Sequence, residues 1–137
     1  MRERVLERDG REVRFGEDSE IVAGQWRSIH DGKRLRDSRK VQVDHIVALK
    51  NAWRSGARRW SDARRKRFAN DLSDPELVAV SASSNESKVD SGPEEWKPPR
   101  RAVWCLYARW WIDVKTVWHL AVTADEKNAL RNMLTTC

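Results

Sequence analysis

Asp44 and His45 stand side by side in "KVQVDHIVAL", and Asn85 and Lys88 stand three apart in "SSNESKVD". A carboxylate, an imidazole, a carboxamide and an ammonium are the groups that metal-assisted hydrolysis of a phosphodiester requires. A divalent cation takes hard oxygen ligands, which Asp44 and Asn85 would supply. A neutral His45 would accept a proton from the attacking water. The cation would stabilise the leaving 3′ oxygen and the charge around phosphorus. Lys88 would pair with a phosphate oxygen. Each pair also has a plain structural explanation: a core histidine bonded inside a strand, and a helix start with a solvated lysine.

The elements that must position these groups are legible in outline. Val41, Val43, His45, Val47 and Leu49 alternate with Gln42, Asp44, Ile46 and Ala48, which predicts a strand over 41–49. Adjacent residues of a straight strand point to opposite faces, so one site shared by Asp44 and His45 requires a bulge or strong twist there, or a water on the far side of the phosphate. "AWRSGARRW" reads as an irregular connector, and Ser61 as the cap of a helix over about 62–72. "ELVAVSA" reads as a second strand. Ser83 and Glu86 have capping-box spacing, which predicts a helix that carries Asn85 and Lys88 on one side.

Outside this unit, residues 2–9 read as a short helix, and a polar, turn-rich region follows. "EIVAGQW" reads as a strand, and "IHDGKRLRDSRK" as a loop with a turn at Asp31-Gly32. Val103, Leu106, Tyr107, Trp110, Val114 and Val117 recur at helical spacing, and Thr123 with Glu126 caps a last helix. The eight tryptophans read chiefly as core, with base stacking as the alternative. The pattern is α+β.

The 137 residues suffice for one domain with a modest core, and no apolar run approaches the roughly 18 residues of a membrane span. The charged start "MRERVLERDG" does not read as a secretory signal; a processed precursor and a short natural gene both fit. The net charge is +6 and the pI about 9.7. Residues 54–67 hold seven basic residues and one acid, an excess equal to the net charge of the whole chain. This stripe, with Arg58, Arg59, Arg64 and Arg67, is either a polyanion-binding surface or a solvated face. Cys105 and Cys137 are the whole cysteine supply, which excludes a four-cysteine zinc site. They form one disulfide in an oxidising compartment or remain two reduced thiols; the bonded pair is the expectation, because two antiparallel helices would bring those ends together.

"VDHIVAL", "NDL…ELVAVSASSNESKVD" and "EEWKPP" resemble the HNH nucleases of the His-Me finger (ββα-metal) superfamily. The closest likeness is to the branch of small secreted actinobacterial proteins and nuclease domains of modification-dependent restriction enzymes. The resemblance runs from "RERVL" to Cys137. It implies a ββα-metal core over about 41–92, with a two-stranded antiparallel hairpin surrounded by helices, and a helical part over about 101–137. It implies His45 as general base, Asp44 and Asn85 as metal ligands, and Lys88 as the lysine that follows them. In many such proteins a middle asparagine fixes the base. Here Glu76 stands just before Leu77, and nearby Asn70 either takes over that role or simply ends its helix. Ala48 stands where the branch often has proline, and the extra cysteines near "EIVAGQW" are absent.

The resulting expectation is a divalent-metal-dependent endonuclease that cuts DNA with low specificity and leaves 5′-phosphate and 3′-hydroxyl ends. Mg²⁺ is the expected ion, with Mn²⁺ as the alternative. RNA is the alternative substrate. A non-catalytic nucleic-acid-binding module and a nuclease toxin with an immunity partner are the competing readings. A monomer without membrane contact is expected. The expected location is extracellular after processing, with a cytoplasmic restriction-type setting as the alternative.

Overall fold

A computed structural model describes residues 1–137. The order is α1 (Arg2–Asp9), β1 (Arg11–Phe15), β2 (Ile21–Arg27), β3 (Arg34–Asp37), β4 (Val41–His45), α2 (Leu49–Arg54), α3 (Asp62–Ala69), β5 (Leu77–Ser81), α4 (Ala82–Lys88), α5 (Trp104–Val117) and α6 (Ala124–Leu134). The fold is α+β, as expected. β1, β2 and β3 form one antiparallel sheet, and β4 and β5 another. No helix is long and apolar enough to cross a membrane.

β5 is buried along its whole length. Leu77 and Ala79 pack with Val5, Leu6, Ile21 and Trp26, whereas Val78 and Val80 join the larger core of Phe68, Tyr107 and Trp111. Side-chain alternation thus makes β5 the wall between two apolar clusters. Its outer edge has no third strand. Arg8 instead donates to the Leu77 carbonyl, and the Asp9 carboxylate accepts from the Ala79 N–H at 2.9 Å. Helix α1 therefore satisfies edge groups that would otherwise stay open.

Three readings of the sequence need correction here. β1 and β3 are strands where polar turns and a loop were expected. Their side chains are mostly exposed, so no buried face marks them. The strand over 41–49 stops at His45: Ile46 to Ala48 turn the chain, and α2 occupies part of the supposed irregular connector. The cap of α4 lies two residues before the expected Ser83. Ser81 is its N-cap and accepts from Ser84 N–H, while donating to Asp31 at 2.7 Å.

The C-terminal pair matches its pattern more closely. Thr123 and Glu126 form both halves of the capping box. Cys105 and Cys137 are disulfide-bonded, with 5.2 Å between their Cα atoms. They tie the start of α5 to the chain just past α6.

Candidate active site

β4 pairs with β5 from Val41↔Ser81 to His45↔Leu77 without interruption. The bulge that would bring Asp44 and His45 to one face is absent. Gln42 and Asp44 face α4, and His45 faces the other way, where the end of α3 meets it.

The His45 Nε2–H donates to the Ala69 carbonyl at 2.9 Å. A carbonyl only accepts, so this contact selects the tautomer with a free lone pair on Nδ1. Nδ1 makes no protein hydrogen bond and is not sealed from solvent. Burial pushes the His45 pKa down, against opposing pulls from the Ala69 carbonyl and Asp44. The neutral imidazole is therefore the favoured form.

Asp44 is 4% exposed. Lys88 Nζ lies 2.9 and 2.8 Å from its two oxygens, and His30 Nε2 lies 3.1 Å from Oδ2. Burial alone would raise the Asp44 pKa, but Lys88 and His30 bring it below the usual carboxylate value. Lys88 also donates to the carbonyls of His45 and Ile46, at 2.8 and 2.9 Å. A single buried ammonium thus joins α4 to the carboxylate and to the backbone of His45. This is a different placement from the phosphate contact expected for Lys88.

Asn85 donates through Nδ2 to Gln42 Oε1 at 2.9 Å, and its own amide oxygen remains open. No cluster of three or more histidine, cysteine, aspartate or glutamate side chains is arranged around a common point. The donors that remain are hard oxygens: the Asn85 amide and what Lys88 and His30 leave free on Asp44. These fit a hard divalent cation, but Lys88 already neutralises Asp44. Holding the ion would then depend on a substrate phosphate.

Two neighbouring residues divide the role sought for a middle asparagine. Asn70 is the C-cap of α3, and its side chain turns back to the Lys66 carbonyl at 2.8 Å. The adjacent Ala69 carbonyl holds the imidazole instead. Glu76 pins the chain just after His45: its carbonyl accepts from Ile46 N–H and its Oε1 from Val47 N–H, both at 2.7 Å. Burial pushes the Glu76 carboxyl well above its usual range, and its Oε2 has no partner. A backbone carbonyl carries no sequence signature, so the Ala69 contact could not be found from residue types.

The basic stripe divides as well. Arg58, Arg59 and Arg67 are exposed. Arg64 is not part of that surface. Its guanidinium lies 4.5 Å from the centre of the Trp60 ring and 5.1 Å from that of Trp118, and it donates to the Trp118 carbonyl. Arg65 likewise caps the carbonyls of Ala57 and Trp60. Arg64 ties α3 to the end of α5 at Trp118, and Arg65 ties α3 to the connector before it.

The structure is thus an α+β domain whose polar groups converge on one strand and the helix that follows its partner. The family described as "GmrSD restriction endonucleases, C-terminal domain" matches residues 2–133, and the chain belongs to it. This bears out the resemblance read from the motifs. An "Uncharacterized secreted protein" of Arthroderma benhamiae is 48% identical over 136 residues, which is 99% of this chain and 67% of that protein. No solved structure matches the chain.

Proposed function

We propose that the chain is a divalent-cation-dependent endonuclease that hydrolyses DNA phosphodiesters with low sequence specificity. The observation that carries this reading is His45: Nε2 is tied to the Ala69 carbonyl and Nδ1 is open. Family membership supports nuclease chemistry, and the antiparallel β4–β5 pair followed by α4 has the element order of a ββα-metal core.

In this reading a water on the His45 side of the phosphate, the side away from Asp44, gives its proton to His45 Nδ1 as its oxygen adds to phosphorus and the bond from phosphorus to the 3′ oxygen breaks. Ala69 keeps the ring oriented, and Glu76 and Lys88 hold the backbone from His45 to Val47. Asn85, with what Lys88 and His30 leave free on Asp44, would hold a Mg²⁺ or Mn²⁺ ion together with a phosphate oxygen. When bound, that ion supplies charge neutralisation at the leaving 3′ oxygen. The products carry 5′-phosphate and 3′-hydroxyl ends. Arg58, Arg59 and Arg67 would bind flanking phosphates. An extracellular setting is proposed as well, supported by the disulfide and by the name of the Arthroderma relative.

The test is incubation of supercoiled plasmid with Mg²⁺ or with EDTA, wild type beside His45→Ala. Wild type should cut only with the metal. His45→Ala should be slower by about 10²–10⁴, with an unchanged circular dichroism spectrum. Equal rates for both proteins in a preparation free of other nucleases would remove the reading.

A further inference from the structure

We infer that His30 is a positioning residue of this site, acting through Asp44. The inference rests on the nuclease reading for its biological meaning but not for its geometry. His30 lies in the loop between β2 and β3, outside the strand–helix–strand–helix unit that carries the motif.

Its ring is fully buried. One nitrogen, Nδ1, lies 3.1 Å from Ser84 Oγ in the first turn of α4, and the other, Nε2, lies 3.1 Å from Asp44 Oδ2 on β4. Nδ1 shares a hydrogen bond with the Ser84 hydroxyl, which also donates to the Ser81 carbonyl at 3.0 Å, while Nε2 meets Asp44 at ion-pair distance without the alignment of a hydrogen bond. The ring is therefore a spacer between the two elements that carry the candidate oxygen ligands.

The loop around it is built to hold that position. Gly32 adopts φ +76°, a conformation L side chains rarely take, and its N–H returns to the Ser28 carbonyl at 2.8 Å. The His30 carbonyl accepts from Arg100 N–H at 3.1 Å. Asp31 accepts from Ser81 at 2.7 Å, and Lys33 donates to Ser83 at 3.1 Å. The loop thus grips the start of α4 at three places. Trp96 and Tyr107 meet the imidazole edge-on, with centroids at 5.0 and 5.9 Å.

A ring that only filled this space would be better apolar, because a buried imidazole with unmet nitrogens is costly. Here both nitrogens are directed at the strand and helix of the site. The Ser84–His30–Asp44 chain has the order of an acyl-transfer triad. However, Ser84 is 4% exposed and His30 fully buried, so no substrate reaches the hydroxyl.

The test compares three substitutions of His30. Phenylalanine keeps the ring volume and removes both nitrogens. Asparagine places its amide near the position of Nδ1 and keeps only the Ser84 contact. Glutamine reaches the position of Nε2 and keeps the Asp44 contact. Mn²⁺ binding is titrated by electron paramagnetic resonance with a short DNA duplex, in a His45→Ala background that leaves the DNA intact, beside thermal melts. His30→Phe and His30→Asn should weaken Mn²⁺ binding by about ten-fold, while His30→Gln stays within about two-fold of the parent. If His30→Phe does not fold, the glutamine–asparagine pair decides. Equal affinities across the series, asparagine matching glutamine, or a parent that binds no Mn²⁺ each overturn the inference. Plasmid cleavage with His30 intact judges the nuclease reading separately. If cleavage fails while glutamine still outranks asparagine in binding, the role of His30 stands without the nuclease.

Discussion

Lys88 and Lys115 invite comparison: each lies in the last turn of its helix, each is buried, and each has a carboxylate nearby. Lys88 touches both oxygens of Asp44 directly and two backbone carbonyls besides. Lys115 donates to Ser55 Oγ at 2.6 Å and to the Ala121 carbonyl at 2.7 Å, while Glu126 stays 3.9 Å away. Glu126 is already held by Thr123 N–H and by Asn51. Burial therefore lowers the Lys115 pKa to about 8, because its carboxylate offsets only part of the desolvation. The difference is one of purpose. Around Lys115 a neutral hydroxyl and a carbonyl suffice to tie α5 to the end of α2 and to the connector that leads into α6. Around Lys88 a charge pair holds α4 against the backbone of His45, the proposed base.

The sharpest way to break this comparison is to remove both ammonium groups. Lys88→Met leaves Asp44 as an unpaired buried charge and should cost about 3–5 kcal/mol in urea denaturation, with cleavage lost. Lys115→Met removes a weaker partner and should cost about 1–3 kcal/mol, with cleavage per folded molecule retained. Equal costs would mean that the closer ion pair has no special weight.

The C-terminal lock has a second fastening, Cys105–Cys137, which closes a loop of sequence separation 32. Replacing both cysteines with serine should lower stability by about 3–4 kcal/mol on the loop-entropy account, without changing the metal dependence of cleavage. A change in metal dependence would show that the helical pair also shapes the site.

pH offers a finer probe of the same contrast. The folded-state pKa of Lys115, about 8, lies below its ordinary 10.5, so between these values the unfolded chain binds more protons. The stability of wild type relative to Lys115→Met should therefore rise as pH increases from about 8 towards 10.5. Chemical denaturation of both proteins across that window measures it. A difference that falls with pH would contradict the placement of Lys115.

The smallest effects concern the arginines. Replacing Arg58, Arg59 and Arg67 with glutamine should reduce the salt slope of DNA binding by about 2–3. Arg64→Gln should change the slope little and instead lower the melting temperature, since Arg64 lies between Trp60 and Trp118. The reverse result would return Arg64 to the binding surface.

Much of the site's scaffold was written in local signals. The Ser61 cap, the Thr123–Glu126 box, the apolar stripe of α5 and the strand–helix–strand–helix order are decided by residues three or four apart, or by period-two alternation. The same alternation stated the geometric objection correctly: Asp44 and His45 lie on opposite faces. Charge spacing could not tell exposed Arg67 from Arg64, because that depends on where Trp118 of a later helix arrives. β1 and β3 were invisible because neither buries a periodic face. The contacts that assemble the candidate site join residues far apart in the chain, namely Lys88 to Asp44, His30 to Ser84 and Glu76 to Val47. Composition supplied the groups and local pattern supplied their carriers. Only tertiary packing decided which buried polar atom met which, because each such atom must find a partner wherever the folded chain provides one.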